Sequence, residues 1–201
     1  MENNTHSEKE ILIFNAVNEL LNEGVKLHTV KVADIAKKAG IGKGTIYDYF
    51  KSKEEILERA FLYNMDIELY ENIKKINKGN HFKEKVYIIL DIIEKSTTDY
   101  SSFSNILFSN LSHNEFKGIL ENNKDYINKR YELLKKSIND LLSIGVLENI
   151  IKEQDDKDYQ IMVFESVVTG FGHTICIKNE EKKTIEDVKS RAYKLLIKGL
   201  N

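Results

Sequence analysis

A chain of 201 residues without a single proline has few ways to fold. Proline removes a backbone donor and clashes with the preceding turn, so in its absence nothing forces a helix to break. The abundant Leu, Glu and Lys lose little rotamer freedom in a helix, and Ile is accommodated at modest cost. The best strand-like runs, residues 85–92 and 161–168, fit helical spacing equally well. The chain reads as all-α.

Capping signals divide it into helices. Ser7 and Glu10 have the spacing of a capping box, in which the hydroxyl accepts from one free backbone N–H and the carboxylate accepts from another. The spacing recurs at Ser52/Glu55, Ser112/Glu115 and Thr184/Asp187, each followed by apolar residues at helical period. Stops are expected at Gly24, Gly40, Gly79 and Gly145, because glycine most easily takes the left-handed conformation that ends a helix. These marks predict a first helix over about 7–23 that buries Ile13, Ala16, Val17 and Leu20. A second over about 31–39 buries Val32, Ile35 and Ala36, a short third covers about 45–50, and a fourth runs from Ser52 past Tyr70. Further helices are expected over about 82–98, 101–111, 115–121, 123–143, 156–178 and 184–199, with no internal repeat.

Composition narrows the function classes. With 41% hydrophobic and 31% charged residues the chain is an ordinary globular protein, too apolar for disorder. It has no run of 18 or more apolar residues, so no membrane contact is expected, and its polar, acidic start does not resemble a signal peptide. The single cysteine, Cys176, allows no intrachain disulfide and fits a reducing compartment, so a cytoplasmic location is expected. Cys176 itself is expected to be a small buried apolar residue.

The net charge of −2 speaks against nucleic acid, but its distribution does not. From Thr29 to Lys53 six lysines (31, 37, 38, 43, 51 and 53) face only Asp34 and Asp48, whereas from Glu54 onward 22 basic residues are outnumbered by 25 acidic ones. A phosphate-binding surface needs only such a local patch, although lysine-rich helices can also be plain solvated faces.

That patch contains the most informative stretch, Val32 to Phe50. Two short helices flank Gly40-Ile41-Gly42, where Gly40 can take the positive φ that ends the first. Ala36 and Ala39 are small enough for a close, steep crossing, and Ile41 and Ile46 would fill the space between the helices. This is the packing of a helix-turn-helix, whose second helix enters the major groove of DNA. That helix carries Lys43, Thr45, Tyr47, Asp48 and Tyr49, while Gly44 leaves a backbone N–H open to a phosphate. Lys43 can donate to guanine O6 and N7, and the tyrosine hydroxyls and Lys53 suit phosphates. A tight helical hairpin with surface lysines would share several of these features.

The run Asp-Ile-Ala-x-x-Ala-Gly-x-x-Lys-Gly-Thr-Ile-Tyr-x-Tyr-Phe-x-Ser-Lys-Glu, from Asp34 to Glu54, resembles the DNA-binding domain of the TetR family of bacterial regulators, over roughly residues 10–60. The resemblance implies a homodimer, with a three-helix DNA-binding domain at 1–53 and a helical effector-binding and dimerisation domain at 54–201. It implies DNA contacts from Lys43, Gly44, Thr45, Tyr47, Tyr49 and Lys53. The family usually caps its second helix with Thr or Ser touching a phosphate. Here that place falls near Val30, with Thr29 one residue early, and Lys31 is expected to substitute. The implied partners are palindromic double-stranded DNA and a small-molecule effector of unknown identity.

In the C-terminal part, Ser166, Thr169, Gly170 and His173 form a small-residue strip beside Val163, Val167, Phe171 and Ile175, and the last helix offers Val188, Ala192, Leu195, Leu196 and Leu200. Paired with a second copy, these would build a four-helix bundle; packing within one subunit is the alternative. An effector cavity is expected between the middle helices. Tyr87, Tyr100, Phe103, Phe108, Tyr126 and Phe164 could line it, but core packing is the simpler assignment for each, so no ligand residue is assigned.

Gly170-Phe-Gly172 does not follow a strand and is no nucleotide loop. Histidines 6, 28, 81, 113 and 173 lack metal-site spacing, so no metal or cofactor is expected; His113 and His173 could line a cavity, though a satisfied polar residue inside the bundle is commoner. No catalytic grouping is visible. The expected function is a ligand-responsive homodimeric repressor. A sensor whose N-terminal domain holds a protein partner, or a small helical enzyme, are the alternatives.

Overall fold

The computed structural model describes residues 6–98, 113–178 and 182–201, and within them every regular element is helical. The order is α1 (Glu8–Asn22), a 3₁₀ turn (Leu27–Thr29), α2 (Val32–Ala39), α3 (Lys43–Tyr49), α4 (Lys53–Ile76), α5 (Phe82–Thr98), α6 (His113–Asn122), α7 (Lys124–Leu147), α8 (Lys157–Lys178) and α9 (Lys182–Gly199). The expected helix over 101–111 and the box beginning at Ser112 lie outside the described residues. The chain forms two compact units, Met1–Glu68 with Tyr100–Asn123, and Leu69–Asp99 with Lys124–Asn201.

In the first unit the Ser7/Glu10 capping box forms in full, with Glu10 N–H donating to the Ser7 hydroxyl and Ser7 N–H to the Glu10 carboxylate. Glu10 also pairs with Arg59 of α4, whose guanidinium lies 5.0 Å from the centroid of the Phe50 ring. Burial raises the Glu10 carboxyl, but its bonds to Ser7 and the charge of Arg59 outweigh this and hold it below the usual carboxylate range. The expected core residues Ile13, Ala16, Val17, Leu20, Val32, Ile35 and Ala36 are all buried, and Phe14 meets Phe50 edge-on at 5.8 Å. Asn18 and Asn64 exchange side-chain hydrogen bonds of 2.7 and 2.9 Å between α1 and α4. At Ser52 half of the expected box forms, because Glu55 accepts from Lys51 N–H.

The second unit is built around Phe82, Leu90, Leu141, Phe164, Phe171 and Leu196, contributed by α5, α7, α8 and α9. The N-terminus of α5 is held by Glu148, whose carboxylate accepts from Phe82 N–H at 3.0 Å and meets His81 Nδ1 at 2.9 Å. The last turn of α4 is closed by Lys85 Nζ donating to the Ile76 carbonyl at 3.0 Å. Lys189 of α9 is buried, yet its ammonium meets Asp91 and Glu94 of α5 at 2.6 Å each and Glu186 at 2.9 Å. Desolvation disfavours this charge, but the three carboxylates outweigh it and raise the ammonium well above the usual lysine range.

Several sequence expectations change. Gly24 and Gly40 are left-handed as expected, but Gly79 and Gly145 are not among the positive-φ residues. α7 runs through Gly145 to Leu147, and the left-handed residue that ends it is Asn149, φ 57°. Asparagine tolerates that conformation by bonding locally. Gly145 is required for space: an added Cβ would lie 2.7 Å from Phe82 Cδ2. α9 begins at Lys182, two residues before the expected cap at Thr184. Cys176 is exposed, because the buried stripe of α8 runs through Phe164, Val167, Phe171 and Ile175 and leaves position 176 on the outer side. His173 is exposed for the same reason. Residues 157–177 of α8 have mean hydropathy 1.3, enough by length and composition to cross a membrane. Its buried stripe, Ile161, Phe164, Val167, Phe171 and Ile175, packs against α5, α7 and α9, and 33% of the segment is buried.

Candidate nucleic-acid interface

The interface is built by what the connection between α2 and α3 does to the backbone. Gly40 (φ 69°, ψ 25°) ends α2 in the left-handed conformation, and Ile41 N–H then reaches back to the Ala36 carbonyl at 3.1 Å. Gly42 is the extended N-cap of α3, which starts at Lys43, two residues earlier than the sequence implied. Ile46 and Phe50 are buried and Ile41 is half-buried, so α3 is fixed by one apolar edge.

The opposite edge is open. Lys43, Gly44, Tyr47 and Asp48 are exposed, and Thr45 and Tyr49 are half-buried. Lys43 Nζ lies 5.9 Å from the centroid of the Tyr47 ring, one turn on, which aligns the two outward-facing side chains. Lys53, at the start of α4, donates to the His28 carbonyl at 3.4 Å and is half-buried. Lys31 is the N-cap of α2, one residue later than expected, with its side chain exposed and making no cap bond. Thr29 donates its hydroxyl to the Lys26 carbonyl at 2.8 Å, so that side chain is already engaged.

The charge count is also refined. Lys38 is tied to Glu23 and lies 3.7 Å from Glu19 of α1, which removes it from the patch. Lys31, Lys37, Lys43 and Lys51 have, among the described residues, no carboxylate within ion-pair distance, and all four are exposed. Solvated lysines around the exposed start of a short helix can neutralise phosphates on either side of a groove, and the open edge of α3 offers Lys43, Thr45 and the Tyr47 hydroxyl as hydrogen-bonding groups. Lys37 and Lys51 belong to the charged segment, and no local motif singles either of them out.

The second unit contains a cavity of about 490 Å³ walled by the last turns of α4, by α5, α7 and α8. Its walls are mainly aliphatic, with Leu69, Ile73, Ile89, Ile93, Leu134 and Ile138 prominent. Of the aromatic candidates within the described residues, only Phe164 lines it. Tyr87 packs on Tyr193 at 5.7 Å, the Tyr126 ring lies 3.9 Å from the Arg130 guanidinium carbon, and Tyr100, Phe103 and Phe108 lie outside the described residues. Elsewhere in this unit α8 and α9 form a groove of about 290 Å³ lined by Ser166, Gly170, Thr174, Val188, Arg191 and Leu195, among others. Ser166, Thr169 and Gly170 are exposed, as is Leu195 at 58%. Val167 and Phe171, placed beside that strip by the sequence, line the same groove from the core side, and Ile175 is buried in the core. Among the described residues no group of His, Cys, Asp and Glu could hold a metal ion.

Comparison with known proteins places this geometry. Residues 26–60 match the family model of bacterial regulatory proteins of the tetR family. An HTH-type transcriptional regulator of Staphylococcus aureus is 35% identical over 114 residues, 48% of this chain and 59% of that protein, so the match spans little more than half of the relative. The fatty acid metabolism regulator protein of Bacillus subtilis is 27% identical over 197 residues, 96% of each chain. In fold, the chain is similar to the crystal structure of the transcriptional regulator FadR from Bacillus subtilis in complex with stearoyl-CoA, with TM-score 0.58 and 23% identity, covering 95% of this chain and 99% of that one.

Proposed function

We propose that this chain, whose N-terminal unit is a TetR-family helix-turn-helix domain, is a sequence-specific DNA-binding transcriptional regulator acting as a ligand-responsive homodimeric repressor. The observation that carries the reading is α3 itself: one edge is locked by Ile46 and Phe50, and the other presents Lys43, Gly44, Thr45 and Tyr47 outward. Lys43 and Thr45 read base edges; Tyr47, Tyr49, Lys31 and Lys53 hold phosphates, and Gly44 offers its backbone N–H.

The α8/α9 groove is the dimer face in this reading. It leaves Leu195 and the strip from Ser166 to Gly170 uncovered, and an isologous contact between two copies would bury both. Two recognition helices related by a two-fold axis would enter successive major grooves about 34–36 Å apart, which calls for a palindromic operator. The effector is a molecule with a long aliphatic segment, seated in the 490 Å³ cavity. The stearoyl-CoA held by the Bacillus subtilis protein of similar fold agrees with an aliphatic tail. Repression ends when the occupied cavity favours a conformation of lower operator affinity, an effect limited to the ligand's differential affinity for the two states. Because α4 supplies residues to both units, it is the continuous element available to transmit the change.

The test is selection from random double-stranded DNA with salt varied, followed by Lys43→Ala on the selected site. The expected result is an enriched palindrome with steeply salt-dependent affinity, and a loss of about 1–3 kcal/mol with relaxed sequence preference in the variant. No enrichment by effector-free protein at any salt concentration overturns the reading.

A further inference from the structure

Among the described residues the cavity lining has one charged side chain, Glu165, and it is a carboxylate. The remaining polar lining groups, Asn72, Tyr131, Ser137 and Thr169, are neutral. The Tyr131 hydroxyl donates to Glu165 Oε1 at 3.2 Å, and this bond raises the phenol above its ordinary range. Among the described residues no basic side chain lies within ion-pair distance of Glu165. The nearby cation, Lys135, stands 5.8 Å from the centroid of the Tyr131 ring and is directed to Asp158 at 3.8 Å. Glu132 adds a further negative charge acting on Tyr131. The mouth of an aliphatic cavity therefore combines a carboxylate without a cationic partner, an adjacent electron-rich ring, and an excess of negative charge.

A free fatty acid would bring its carboxylate against Glu165, a like-charge contact at the edge of a low-dielectric cavity. A cationic head would pair with Glu165, lie against the Tyr131 ring and leave its alkyl tail among the isoleucines. We propose that the effector cavity takes an alkyl ammonium amphiphile: one long aliphatic chain with a single cationic head seated on Glu165 and Tyr131. The inference rests on reading this cavity as the effector site and adds the chemistry of the head.

The experiment uses the full chain and three probes of equal tail length, decyltrimethylammonium, decanol and decanoate, with stearoyl-CoA as a fourth, all titrated calorimetrically below micelle formation. Decyltrimethylammonium binds tightest and decanoate weakest. Glu165→Gln, which keeps an acceptor for Tyr131, weakens the cation by about tenfold, the scale of one close ion pair, and leaves decanol unchanged. If decanol binds but the cation binds no tighter, if decanoate or stearoyl-CoA binds tightest, or if Glu165→Gln leaves the cation's affinity unchanged, the head-group assignment falls while the aliphatic cavity stands. If no probe binds, the cavity reading fails with it.

Discussion

Gly145 offers the most direct test of how the second unit is packed. It sits inside α7, where glycine is a poor helix former, so replacing it by alanine would ordinarily stabilise the helix by about 0.5–1 kcal/mol. The surroundings reverse the sign. The new Cβ would stand 2.7 and 2.9 Å from two carbons of the Phe82 ring and 3.1 Å from Ile151 Cδ1. Phe82 cannot retreat: it is fully buried, and its backbone N–H is fixed to Glu148 at 3.0 Å. Overpacking of this kind costs about 1–3 kcal/mol. The net expectation for Gly145→Ala is a loss of about 1–2 kcal/mol, or a fall in Tm of about 2–8 °C for a chain of this size. Thermal unfolding followed by circular dichroism reads it directly. Phe82→Leu in the same background should relieve part of the loss, giving a coupling of about 0.5 kcal/mol or more in a double-mutant cycle. A Gly145→Ala protein as stable as the parent would refute the reasoning, since the ring would then have yielded without cost.

Three further outcomes follow from other contacts. Because Glu10 is held below its ordinary value of 4.5, it stabilises the folded first unit above that pH, and the contribution is lost as pH falls through the lowered value. Glu10→Gln keeps the cap acceptor but removes the charge facing Arg59, and should lower stability at neutral pH by about 0.5–1 kcal/mol and flatten the acid limb; an unchanged acid limb in urea titrations would count against it. Lys189→Met removes the ammonium from three carboxylates, of which Asp91 and Glu186 are largely exposed and can rehydrate. The expected loss is about 1–2 kcal/mol, below the range for a fully buried pair, and a gain of stability in denaturant titrations would sink the account. Leu195→Glu places a charge on the open α8/α9 groove and should give a monomer in sedimentation with weakened operator binding; a persistent dimer would move the interface elsewhere.

The helix-turn-helix was legible because its determinants are local. Gly40, Ala36, Ile41, Ile46 and Phe50 lie within fifteen residues of one another, and short-range backbone rules decide what they do. Boundaries moved where tertiary contacts intervened. The glycine at 145 lies inside α7 and does not end it; it leaves room for Phe82, more than sixty residues away in sequence, a requirement that no local signal reveals. Cys176 was assigned to the interior by residue type, but the phase of the buried stripe on α8 decides its exposure. The cavity was illegible for the same reason. Its walls come from four helices; of the aromatic residues considered as lining within the described residues, Phe164 lines it while Tyr87 and Tyr126 pack elsewhere, and isoleucines on α5 supply much of the wall. Glu165 did leave a trace, as a charge within the otherwise apolar stretch from Ile161 to Val168, but only the fold shows that Tyr131 stands opposite it.

Under the proposed reading, the position of α5 would couple an occupant of the cavity to the α8/α9 groove inside the second unit. One face of α5 supplies Ile89, Ile92 and Ile93 to the cavity, while Asp91 and Glu94 of the same turns grip Lys189 of α9. α9 in turn carries Val188, Arg191 and Leu195 on its open groove. Any occupant that displaces α5 must therefore stretch charge-assisted bonds of 2.6 Å or carry α9 along. Stretching leaves a nearly buried ammonium short of partners, which is the costlier course. Movement as a pair keeps the bonds and re-aims the groove. The same lysine that adds stability also fixes which motions of the cavity reach the surface where a second copy would sit.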